Sequence, residues 1–269
     1  MKTKELRSGI RPVWCPGCGH FGVLKAILRA LSAARAEPEK CALVSGIGCS
    51  SRLPTYAATY GFHGVHGRAL PVASGLKVAR PELTVFAVGG DGDGFSIGGN
   101  HFLHACRRNV DIVYVVMDNE VYGMTKGQAS PTTAPTWSNS SMTPGGTGVR
   151  PFQPLAIALA AGAGFIARGF AGDNNGLAKI LFEAMQYPGF AFIQVLSKCP
   201  TFAPEQSGWK DRVSDFDETT SDPSVAGTLL HSDDGFQTGI IYRNPRPVWP
   251  VPNEQSQTSP ETLRKEFRL

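Results

Sequence analysis

The sequence predicts an α/β fold, a parallel sheet flanked by helices on both faces. Three observations predict it. Segments of helical spacing alternate with short apolar runs as far as about residue 203. Those runs are apolar throughout rather than at every second residue, as in strands buried on both faces. Gly/Asp-rich loops follow two of them, beyond the strand ends where ligands of parallel sheets sit.

Taken in order, "HFGVLKAILRALSAAR" (20–35) has apolar residues at helical spacing. "EKCALVSGIG" reads as a buried strand ending in glycines, and "ALPVASGLKVARP" (69–81) as a helix stopped by Pro81. "LTVFAVGGDGDG" is a strand running into a loop, "SIGGNHFLHACRRN" a helix, and "VDIVYVVMDN" another strand. "FQPLAIALAAGAG" and "NNGLAKILFEAMQ" are helices, and "FIARGF" and "GFAFIQVLS" strands. One domain is therefore expected over residues 1–203. Residues 204–269, polar and Pro-rich, are expected to form an arm packed on the domain or on a partner. A disordered tail is the alternative, and covering the site below is the arm's expected role.

Of 269 residues, 42% are hydrophobic and 18% charged, which supplies a core and argues against disorder. The net charge of +4 is small and the basic residues are scattered, so nucleic acid is not an expected partner. "MKTKELRSGIRPVW" lacks the apolar core of a signal peptide, and no apolar run reaches the ~18 residues of a membrane helix. A soluble, cytoplasmic protein is expected. Six cysteines are too sparse for a disulfide scaffold, so metal binding or catalysis is the default for clustered ones.

Two loops stand out, "GGDGDGFSIGGNH" (89–101) and "MDNEVYGMTKGQ" (117–128). The first can cradle a phosphate with backbone N–H groups while Asp91 holds a divalent cation. Asn119 follows Asp91 by 28 positions, one helix and one strand later, so the two can meet at neighbouring strand ends. Asp91, Asn119 and a backbone carbonyl can clamp a pyrophosphate through Mg²⁺. An ordinary turn and a helix cap are the plain alternative.

The "WCPGCGH" segment (14–20) can be a redox disulfide, half a zinc site or half an iron–sulfur site. Cys49 in "SGIGCSS" and Cys199 in "SKCP" fall at strand ends, where the Gly/Asp loops also lie. Four thiolates converging there suit a 4Fe-4S cluster. Cys₄ zinc is the competitor, although structural zinc usually shows two C-x-x-C knuckles and here the last two cysteines are single. Cys41 and Cys106 are expected to be core thiols.

The stretch "GGDGDGFSIGGNHFLHACRRNVDIVYVVMDNEVYGMTKGQ" contains what looks like a thiamine diphosphate motif. It resembles the β subunits of 2-oxoacid:ferredoxin oxidoreductases, and the resemblance runs over about residues 11–202. It implies the diphosphate-binding half of a thiamine diphosphate-binding fold. Asp91, Asn119 and the Val121 carbonyl would ligate Mg²⁺; Gly90, Gly92, Asp93, Gly123, Met124 and Thr125 would line the cofactor. Gly48, Cys49, Ser50, Ser51 and His66 are expected to complete the cofactor contacts. Cys15, Cys18, Cys49 and Cys199 match the family's cluster ligands.

The implied reaction is oxidative decarboxylation of a 2-oxoacid. Thiamine carries the difficult step, coenzyme A accepts the acyl group, and the cluster passes electrons singly to ferredoxin. Arg52 and Lys126 are expected to face the cofactor pocket. A guanidinium binds carboxylates bidentately, so Arg52 favours 2-oxoglutarate over pyruvate. His66 is expected to bind the diphosphate or assist proton transfer. The chain offers no second α/β domain for the carboxylate that thiamine activation needs. A larger α subunit would supply it with the coenzyme A contacts, in an (αβ)₂ assembly. Two other readings stand: a non-oxidative thiamine-dependent decarboxylase or synthase subunit with structural zinc, and a non-catalytic iron–sulfur subunit.

Overall fold

The computed structural model describes residues 3–216, 218–249 and 259–266. Seven strands in the first part of the chain are β1 (Cys41–Ser45), β2 (Tyr60–His63), β3 (Thr84–Gly90), β4 (Val113–Asp118), the short β5 (Val121–Tyr122) and β6 (Gln128–Ala129), and β7 (Phe165–Phe170). β8 (Ala191–Leu196), β9 (Ser214–Asp215) and β10 (Gln237–Arg243) follow. The main sheet has the order β2-β1-β3-β4-β8-β7-β10-β9 and is parallel except where β10 runs antiparallel to β7. β5 and β6 form a separate hairpin.

Helices cover both faces. Helices α1 (His20–Ala33) and α5 (Asn174–Gln186) share one core with Phe86, Val88, Val115, Met117 and Val195. Helices α2 (Ala69–Ala79), α3 (Gly99–Arg108), α4 (Pro154–Ala160) and α6 (Pro223–Ser232) share the other with Val85, Ala87, Tyr114, Val116 and Phe192. Alternate residues of each strand thus serve opposite cores, which is why β1, β4 and β8 are buried at every position. The predicted fold class stands.

Two expectations about local structure are corrected. Gly92–Ile97 closes into a π-type helical turn instead of an open loop, and α3 begins only at Gly99. β2 was not foreseen, since all four of its residues are exposed and it carries no apolar run.

Beyond residue 203, where an arm packed on the domain or on a partner was expected, the chain packs on the domain and adds to its sheet. Residues 204–249 belong to the same fold: a 3₁₀ turn (Pro204–Asp211) leads to β9, α6 and β10, and β10 extends the main sheet. Asp222 caps α6 by accepting from the N–H groups of Ser224 and Val225. Arg168, buried on β7, binds Asp233 at 2.6 Å and ties the segment down. The sequence hid this because "QTGIIYR" is a half-buried outer strand, fully buried only at Ile241 and Tyr242. The rest of the expected arm includes helix α7 (Pro260–Glu266); residues 250–258 and 267–269 lie outside the described residues.

Candidate active site

The strands β1, β3, β4 and β8 are consecutive neighbours, so the segments after Ser45, Gly90, Asp118 and Leu196 emerge side by side. Between them lies a cavity of about 550 Å³. Gly48, Cys49, Ser50, His66, Gly90, Asp91, Gly92, Asp93, Asn119, Val121, Gly123, Met124 and Thr125, all expected cofactor contacts, line it. Ser51 does not: it is wholly buried behind the cavity, and its backbone oxygen lies 2.6 Å from Ser45 Oγ.

Asp91 is 2% exposed, and Thr132 Oγ1 lies 3.1 Å from its Oδ2 and 2.7 Å from Asp118 Oδ1. Burial pushes the Asp91 carboxyl well above the usual carboxylate range, and the Asp118 charge adds to the rise. Burial likewise lifts Glu120 to about 8, with Asp118 and Asp91 contributing. Asn119 Oδ1 accepts from the Val121 N–H at 3.1 Å, which fixes its side chain and turns the loop into β5. These oxygens fit a divalent cation, because a cation beside Asp91 offsets the repulsion between buried carboxylates.

Asp93 has a second task. Its Oδ1 accepts from Ile47 N–H (2.9 Å) and Gly67 N–H (2.8 Å) and lies 3.0 Å from His66 Nδ1. A Cβ at Gly46 would overlap this carboxylate, so glycine there lets the loop after β1 close on Asp93. Asp93 therefore holds one wall of the cavity and orients His66.

Cys15, Cys18, Cys49 and Cys199 line a second cavity of about 200 Å³. "WCPGCGH" reaches it because the Cys18 N–H bonds the Cys15 carbonyl, and Gly19 N–H bonds the Lys198 carbonyl beside Cys199. Trp14 Nε1 donates to the Cys49 carbonyl at 2.7 Å. Burial pushes the Cys18 thiol up to about 12, and its three neighbouring thiols add to the rise. Four soft donors round one hollow fit an iron–sulfur cluster, whose positive irons offset the crowding of thiolates. Cys41 and Cys106 are wholly buried in the cores, as expected.

The two cavities share a wall. Cys49, Asn119, Gly123, Met124 and His20 line both. A Cβ on Gly123 would stand 3.8 Å from the sulfurs of both Cys49 and Cys199. Gln206 joins the loops behind that wall: its Nε2 donates to the Asn119 carbonyl (2.7 Å) and its Oε1 accepts from the Cys199 N–H (2.8 Å).

Two expected substrate residues are elsewhere. Arg52 lines the cysteine cavity and not the one holding Asp91, because the turn after Cys49 carries it outward. Lys126 is exposed at the tip of the β5–β6 turn with φ +79° and lines neither cavity. Asp118, His20, Thr132 and Gln206 also stand at or beside the cavities, and none is among the expected residues. Asp118 was legible, standing immediately before Asn119; the other three come close only through the fold.

Residues 46–195 match the C-terminal TPP binding domain of thiamine pyrophosphate enzymes. A 2-oxoglutarate oxidoreductase subunit, KorB, of Mycobacterium tuberculosis is 45% identical over 201 residues, covering 75% of this chain and 54% of its own length. The β subunit of 2-oxoacid:ferredoxin oxidoreductase 2 of Aeropyrum pernix is 39% identical over 247 residues, 86% of this chain and 80% of that one. A solved 2-oxoglutarate:ferredoxin oxidoreductase of Magnetococcus marinus, with 2-oxoglutarate, coenzyme A and succinyl-CoA bound, superposes with TM-score 0.89 at 43% identity. That match covers 93% of this chain and 87% of the other. This chain thus spans about half the M. tuberculosis relative and four fifths of the Aeropyrum one. It belongs to the family of 2-oxoacid:ferredoxin oxidoreductase β subunits.

Proposed function

We propose that this chain is the diphosphate- and cluster-binding subunit of an enzyme that oxidatively decarboxylates a 2-oxoacid, 2-oxoglutarate in preference to pyruvate. The observation that carries the reading is the wall shared by the two cavities. A redox centre set against a thiamine site has a purpose only if electrons leave the substrate.

Asp91, Asn119 and the Val121 carbonyl would hold Mg²⁺, and Gly90, Gly92 and Gly123 would let the backbone approach the diphosphate. Cys15, Cys18, Cys49 and Cys199 would hold one 4Fe-4S cluster. Thiamine diphosphate, when bound, supplies the electron sink for decarboxylation. Asp93 keeps His66 turned to the cavity, where its ring can bind the diphosphate or relay a proton. The substrate choice no longer rests on Arg52. It rests on the 2-oxoglutarate named for the M. tuberculosis and Magnetococcus relatives.

A zinc needs four sulfurs about 2.3 Å from one point. The four thiols here line one hollow, and structural zinc usually shows two C-x-x-C knuckles whereas Cys49 and Cys199 stand singly. That favours the cluster. A partner α subunit would bring the thiamine-activating carboxylate and the coenzyme A contacts, and ferredoxin would take the electrons.

The test is anaerobic purification followed by metal, sulfide and EPR analysis. About four irons and four sulfides per chain, with a reduced-cluster signal, are expected. One zinc and no sulfide would refute the oxidoreductase reading in favour of the non-oxidative one. With the partner subunit present, turnover should be faster on 2-oxoglutarate than on pyruvate.

A further inference from the structure

A third cavity, of about 620 Å³, shares Cys18 with the cysteine cavity and shares no residue with the one holding Asp91. The cysteine cavity therefore has two neighbours, joined to one through Cys49 and to the other through Cys18. The third cavity is basic. Arg7, Lys25, Lys198 and Lys210 line it, and no carboxylate does. Arg7, Lys25 and Lys210 are exposed, and none of the four pairs with an acidic residue among the described residues. The cavity holding Asp91 has the opposite character, with two carboxylates and neither Lys nor Arg.

The four cations come from four segments. Arg7 lies in the N-terminal stretch that bridges to Ala57, Lys25 on α1, Lys198 next to Cys199, and Lys210 in the 3₁₀ turn before β9. Folding gathers them, so no basic run shows in the sequence. Unpaired like charges repel and do not stabilise the chain. Their collection beside a cluster ligand fits recognition of a negatively charged partner.

We propose that the basic cavity and its rim are the docking surface for an acidic electron-carrier protein of the ferredoxin class, with electrons entering the cluster on the Cys49 side and leaving on the Cys18 side. The inference rests on the function proposed above and adds where the carrier binds. In the transfer step the reduced cluster loses one electron and the carrier's oxidised iron–sulfur centre gains it; no bond forms or breaks and no proton moves. A small anionic co-substrate fits this cavity less well. An acyl acceptor must reach the cavity of Asp91, and the basic cavity has no wall in common with it.

The test uses the enzyme assembled with its partner subunit and the double variant Lys25→Glu/Lys210→Glu. Arg107→Glu on α3, which packs on the opposite face of the sheet, is the control for charge alone. Oxidation of the 2-oxoacid is followed with an acidic ferredoxin and, separately, with a small uncharged quinone dye. At low salt the double variant should weaken direct ferredoxin binding, measured by calorimetry, and raise the KM for ferredoxin, each about tenfold, with the difference shrinking as ionic strength rises. The dye-linked rate and the Arg107→Glu enzyme should be unchanged. An unchanged ferredoxin KM with normal dye-linked turnover overturns the docking surface. So does an equal loss in both assays, which would assign the cavity to turnover itself. If the unmodified enzyme oxidised no 2-oxoacid with either acceptor, the proposed function would fall first and the docking surface with it.

Discussion

Asp91 destabilises the chain that carries it. It is buried beside Asp118, and Thr132 is the hydroxyl between them. Asp91→Asn should remove that repulsion while deleting the proposed cation ligand. The cation-free variant should melt no lower than the unmodified chain, and its thiamine diphosphate affinity in Mg²⁺ should fall by about 100-fold. Calorimetry and a fluorescence-quench titration measure the two. A variant that melts lower but binds normally would make Asp91 structural. Gly123 allows a complementary experiment, since an added Cβ meets nothing nearer than the two sulfurs at 3.8 Å. Gly123→Ala should keep the fold, read by circular dichroism, and lose iron, because the methyl group intrudes on the space a cluster fills. Of the residues in this region, the sequence made legible those whose chemistry is local, such as the G-D-G carboxylates and the C-x-x-C pair. Gln206 was invisible: its partners are 7 and 87 positions away.

Among the elements, those buried on both sides were readable and those at the margins were not. β1, β4 and β8 announce themselves as unbroken apolar runs. β2 and β10 are exposed or half-buried, and the π-type turn after Asp91 has no periodic signature. The consequence for residues 204–249 can be tested by truncation. Leu230, Ile241 and Tyr242 are buried, and each contributes roughly 1.5–3 kcal/mol. Together they approach the about 5–15 kcal/mol net stability of a typical domain. A chain ended after Ser207 should be insoluble, whereas one ended after residue 249 should melt within a few degrees of the full chain. Retained solubility after Ser207 would restore the separate arm. Shielding of the cluster from oxygen should instead be probed with Phe202→Ala, whose ring lines the cysteine cavity.

At the scale of the molecule, the C-terminal end of one sheet supports three adjoining cavities, and no described helix is long and apolar enough to cross a membrane. The sequence revealed the fold class and pointed to the residues proposed as two metal-ligand sets. It did not reveal that the sets are wired together, because that depends on the side-by-side emergence of β1, β3, β4 and β8. The wiring includes Gln206, one amide holding the carbonyl of Asn119 and the N–H of Cys199. If this shared tether couples the two proposed sites, the coupling is reciprocal: filling one site favours filling the other by the same free energy in either direction. A chain whose cluster is destroyed by air should then also shed its thiamine on dialysis, and Gln206→Leu should abolish that linkage. Under the proposed function the enzyme would fail safe, since damage at the proposed electron outlet would leave an inert protein and not one that activates substrate with nowhere to send the charge.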